Sequence, residues 1–121
     1  MPTGWGPTAA NSTLDTIGAA YSWVKLHVGE PGAAGTANPA TETTRKQVTE
    51  AAATGGVKLS SADLVWTSVA GSEDYTHFTR WTASTAGTFG FSGGIVANPV
   101  TTGDIFQIVS GSMSTSVVLA S

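Results

Sequence analysis

The stretch that decides the fold is "DYTHFTRWTASTAGTFGFSGGIVANPV", residues 74–100. Aromatic and β-branched residues gather in the runs 74–83 and 88–97, and the "STAG" between them has the chemistry of a turn. The same alternation of short run and turn continues outward. "RKQVTE" and "LVWTSV" precede it, "DIFQIV" and "SMSTSVVLA" follow it, and "TGG", "AGSED", "NPVTTGD" and "SGS" punctuate them. In "SWVKLHV", Val24, Leu26 and Val28 alternate with Trp23, Lys25 and His27, the period-two signature of a half-buried strand. About seven such runs, spaced about ten residues apart with no crossover helices, predict antiparallel pairing.

The expected fold is therefore mainly β: a single antiparallel β-sandwich or barrel-like domain with one short N-terminal helix. That helix is read over residues 12–21, with Ser12 as its cap and Leu14, Ile17 and Tyr21 at helical spacing. Gly18 inside it costs about 1 kcal/mol relative to Ala, so packing must hold the helix. Residues 1–11 are expected to form an N-terminal arm and residues 12–121 the domain. Ile105 to Val109 and Val117 to Leu119 are apolar at successive positions, so a hairpin turning at "SGS" is expected to form much of the core.

Composition restricts the function. Only 11% of the 121 residues are charged, against about 25% in average domains, and Thr, Ser, Ala and Gly take their place. Such a surface suits contact with neighbouring subunits. The net charge of −3 and five scattered basic residues give no footprint for nucleic acid. Without Cys there is neither a disulfide nor a thiolate site. The N-terminus lacks the basic and apolar regions of a signal peptide, and no apolar run reaches membrane-spanning length, so synthesis in the cytoplasm and no membrane partner are expected.

No cofactor, metal or catalytic set is expected. Gly90-Phe91-Ser92-Gly93-Gly94 fits G-x-S-x-G, but the nucleophile elbow needs a strand turning into a helix, and "IVANPV" follows instead. His27 is placed on the polar face of its strand, while His77 among aromatics is read as a packed, hydrogen-bonded side chain. Glu73 and Asp74 read as a solvated turn. Trp5, Trp23, Trp66 and Trp81 are either a sugar-stacking platform or, as we favour, core and seam fillers, with Trp5 the one placed against a neighbour.

One connection stands out. Residues 29–43, "GEPGAAGTANPATET", exceed the length usual in compact domains, where such loops carry function. With the basic pair behind it, this loop is the expected contact element. The candidate partner interface is thus Trp5, Glu30, Pro31, Gly32, Asn38, Pro39, Arg45 and Lys46.

At "WVKLHVGEPGAAGTANPATETTRKQVT", "YTHFTRWTASTAGTFGFSG" and "VTTGDIFQIVSGSMSTSVVL" the chain resembles a family of small tailed-bacteriophage virion proteins. The resemblance rests on a strand ending in L-H-x-G-[DE]-P-G, a Gly/Thr/Asn loop, a basic-to-"VT" strand, a "THF" strand and a closing "GD…I…G" hairpin. It implies a β-rich virion component rather than an enzyme. The expected role is capsid (head) decoration on the virion surface, made in the host bacterial cytoplasm, with the major capsid protein and copies of itself as partners. The alternative is a minor tail or tail-fibre module that binds a host-surface glycan.

Overall fold

A computed structural model describes residues 3–96 and 99–116. One helix, α1 (Pro7–Ala20), precedes eight strands: β1 (Trp23–His27), β2 (Lys46–Gln47), β3 (Val57–Leu59), β4 (Leu64–Trp66), β5 (His77–Trp81), β6 (Phe89–Gly94), β7 (Phe106–Ile108) and β8 (Ser114–Ser116). They form a four-stranded antiparallel sheet in the order β2-β1-β5-β6 and two antiparallel ladders, β3-β8 and β4-β7. The arrangement is the mainly β, sandwich-like fold that the residue pattern predicts.

Register explains the core. Leu26 pairs with Phe78 and Val24 with Arg80, so one face of the main sheet presents Val24, Leu26 and Phe78 inward. They meet Leu64 and Trp66 of β4 and Phe106 and Ile108 of β7, with Tyr75 and Met113 closing the cluster. The Phe106 ring lies 5.7 Å from Trp66 and, edge-on, 4.8 Å from Tyr75, the tilted geometries that aromatic quadrupoles favour.

Three expectations need correction. The helix begins at Pro7, not Ser12, so residues 7–11 of the expected arm are its first turns. Proline at the first helical position has φ already set and no amide hydrogen to satisfy, and Gly6 serves as cap without a side chain. Ser12 sits inside the helix, its carbonyl accepting from Thr16 Oγ1 at 2.9 Å. The buried stripe is Ala10, Leu14 and Gly18.

Among the described residues the two C-terminal runs do not pair with each other. β7 pairs with β4, and β8 with β3. Phe106 and Ile108 are buried, but Gln107 is exposed and Ile105 and Val109 are 66% and 55% exposed, so this segment has one dry face rather than two. Val117 to Leu119 lie outside the described residues.

The third correction concerns His27, which does not sit on an open polar face, whereas His77 is hydrogen-bonded to Thr76 Oγ1 at 2.9 Å as expected. His27 is fully buried and His77 is half-buried. A covering loop, not strand alternation, accounts for the burial of His27.

Candidate functional site

The face of the main sheet turned away from the core carries Trp23, Lys25 and His27 from β1 and Thr79 and Trp81 from β5, as the pairings Trp23↔Trp81, Lys25↔Thr79 and His27↔His77 require. The loop after β1 folds back over this face. Val28 N donates to Asn38 O at 3.0 Å and Ala40 N to Leu26 O at 3.1 Å, closing the loop's ends. Ala37 N donates to Pro31 O at 2.9 Å, and Gly35 N to Gly32 O at 3.1 Å. Asn38 adopts φ 50, a left-handed conformation Asn tolerates, and its Nδ2 donates to Glu30 O at 2.9 Å. At the exit, Thr41 N donates to the Glu73 carboxylate, 2.8 Å from Oε2. Glu73 therefore anchors the loop; it is more than a solvated turn.

Gly35 shows why the loop takes this path. Its φ is +71, and a Cβ there would run into the Phe89 ring. Only glycine lets the backbone lie on that ring, which itself stacks at a tilt on Trp81, 5.5 Å away.

Beneath the loop runs a chain of neutral hydrogen bonds. Trp81 Nε1 donates to Thr79 Oγ1 at 2.7 Å, and Thr79 Oγ1 lies 2.9 Å from His27 Nε2. On the other side of the ring, His27 Nδ1 lies 2.9 Å from Ala37 O. A carbonyl only accepts, so Nδ1 carries the proton and Nε2 accepts from the threonine hydroxyl. This neutral tautomer satisfies every ring nitrogen. Burial pushes the imidazole below its ordinary pKa, with the Ala37 carbonyl opposing and Lys25 assisting.

The sequence-derived interface residues separate into different environments. Pro31 is buried, so its ring holds the loop to the domain and offers nothing to a partner. Glu30, Gly32, Asn38 and Pro39 are exposed along the loop. The Glu30 carboxylate lies 3.3 Å from His77 Nε2, while Thr76 Oγ1 contacts His77 Nδ1 at 2.9 Å. Arg45 is committed within the chain: Nη1 donates to Ala83 O at 2.8 Å and Ala86 O at 2.6 Å, and its guanidinium lies 4.4 Å over the Trp81 ring. Lys25 has its pKa lowered first by burial and then by the nearby Arg45 charge. Lys46 instead lines a small hollow with Glu42, Thr44 and Trp66. Trp5, 45% exposed, precedes a helix that packs on β3, apart from the loop in the fold.

The sequence reading missed Thr79 and Trp81 as supports of the loop, because their link to His27 depends on a β1–β5 register 52 residues apart in the chain. It also read Trp66 and Trp81 as fillers, and both are buried. Ser92 of the G-x-S-x-G run stands within β6 opposite Thr79, and the register shifts at Gly90 make that glycine a bulge residue packed against Tyr21. Among the described residues no group of three or more His, Asp or Glu is placed to hold a metal ion. No helix among the described residues is long and apolar enough to cross a membrane.

Fold and face together define a small β-rich module with a loop-covered aromatic and basic surface. The family model described as Podophage GP4 fiber I protein gp80 matches residues 9–116, and the chain belongs to that family. A family of phage fibre proteins makes the chain a structural component of a bacteriophage virion. No curated protein matches the chain.

Proposed function

We propose that the chain is a non-catalytic structural module of the virion fibre and that its outer sheet face binds a host-surface glycan. The match to a fibre protein over residues 9–116 carries the fibre part of this reading. It favours fibre over head decoration, and with that the expected location on the capsid surface and the major capsid protein as partner give way to fibre neighbours, including copies of this chain. Neither nucleic acid nor membrane enters the role.

The glycan part rests on the half-buried Trp23, which pairs with the exposed Gln47 on one side and Trp81 on the other, with Lys25 two residues along the strand. An aromatic ring beside amide and ammonium donors offers a stacking surface and hydrogen bonds to a sugar ring. Gln47 Nε2 is held by Ser22 Oγ at 3.1 Å, which fixes its orientation. The test is binding of the purified domain to host cells, with Trp23→Leu and Gln47→Ala as variants and unfolding curves as folding controls. Folded variants that bind as well as the parent contradict the glycan assignment.

A further inference from the structure

Charge is spread unevenly along the chain. From residue 82 to 121 the only charged residue is Asp104, while the other twelve lie in residues 1–81. The uncharged third builds β6, β7 and β8 and the turns between them. It also contains three of the exposed large apolar side chains: Val96 at 106%, Ile105 at 66% and Val109 at 55%.

These strands frame an open flank of the sandwich. Among the described residues β6 ends the main sheet and β8 pairs only with β3, so among them neither has a ladder partner on its outer side. Between them lies a cleft of about 570 Å³, with Phe78, Phe91, Ile95, Ile108 and Met113 among its walls and Val96 and Val109 beside them. Asp63 reaches this region only to accept from Gln107 Nε2 at 2.8 Å and Ser110 N at 2.7 Å, which occupies both its oxygens.

Free sheet edges are normally blunted by Lys, Pro or inward charges, because an unprotected edge templates pairing with another chain. Neither β6 nor β8 carries any of these, and the Gly90 bulge lies near the start of β6, leaving Phe91 to Gly94 in regular register. The occupant follows from charge. Two copies of a chain with net charge −3 meet with least local repulsion where charged side chains are sparse, and this flank is that surface.

We propose that the β6–β8 flank is a self-association surface, on which a second copy of this chain docks along the β6 edge with its own Val96 and Val109 against the cleft. Within the fibre reading this names the self-contact, but the association belongs to the isolated chain and stands or falls separately from glycan binding. Sedimentation equilibrium of the full chain across a wide concentration range tests it, with Val96→Asp, Val109→Asp and the double variant beside the parent. Both side chains are exposed, so these variants fold, which unfolding curves verify. The parent is expected to self-associate, and the double variant to weaken association at least about tenfold towards the 12.2 kDa monomer, because a carboxylate would have to be desolvated at the contact. Val28→Asp, an exposed apolar position at the loop base, is expected to leave association unchanged. A parent that stays monomeric at every concentration overturns the proposal, including when the cleft takes a strand from a different virion chain. Undiminished association of the double variant, or equal loss with Val28→Asp, overturns it as well.

Discussion

The two faces of the main sheet bury polar groups in opposite ways. On the inner face, Arg80 is wholly enclosed: Nη2 lies 2.9 Å from Glu50 Oε1, and Nε donates to Tyr21 O at 2.6 Å. It thereby caps carbonyls at the helix C-terminus, where a cation complements the helix dipole. Gly18 permits this closeness, since a Cβ there would meet Glu50 and Lys58. Lys58 in turn bonds Asp15 of the helix at 2.7 Å, and together with the Ala53 amide holds the Asp15 carboxyl below its ordinary pKa. On the outer face the buried groups are the neutral Trp81–Thr79–His27–Ala37 chain. Charge fixes the helix to the sheet, and neutral hydrogen bonds fix the loop. The two faces should therefore fail under different perturbations.

The largest effect is expected on the charged side. Arg80→Ala leaves Glu50 buried without its partner and costs about 3–5 kcal/mol, a large share of the stability of so small a domain, as denaturant unfolding would show. Adding Glu50→Gln should recover part of the loss; no recovery would mean that the carbonyl contacts, not the ion pair, dominate. Gly35→Ala strikes the neutral side, forcing a side chain into a left-handed conformation against Phe89 at a cost of about 1–3 kcal/mol. Hydrogen exchange should place that damage in residues 28–40 and spare α1.

Acid separates the faces further. The unfolded chain protonates His27 near its ordinary value of 6.5 while the folded chain resists, so the folded state binds fewer protons below that pH. The stabilisation is complete above pH 6.5 and declines as pH falls from there towards the lowered folded pKa, by at most about 1.4 kcal/mol per pH unit. Unfolding titrations should show this slope, and His27→Gln should flatten it.

The smallest effect is expected where a buried polar group satisfies neither pattern. Among the described residues the Tyr75 hydroxyl has no hydrogen-bond partner, and burial, aided by Glu73 and Glu42, pushes its pKa up to about 12. Tyr75→Phe should leave stability unchanged or raise it by about 1 kcal/mol. It should also remove a loss of stability in the parent that begins as pH rises above 10, where the unfolded tyrosine ionises.

The strands of the main sheet were legible because their side chains alternate, as Val24 and Leu26 do against Trp23 and Lys25. β3 was not, since three residues between "GG" and "SS" are too short to show a period. The helix start was misread because Ser12 looked like a cap, whereas Pro7 sets the first turn. The loop was visible as length and composition, but its closure on His27 was not, because that depends on pairing between distant strands. The same limit hid the split of the C-terminal runs between two ladders.

The central claim, that this domain is a fibre component of the virion, is tested most directly by gold-labelled antibody against the chain on intact particles, viewed by electron microscopy. Gold confined to the fibres is the expected result. Gold spread over the head, or absent from purified particles, would contradict it.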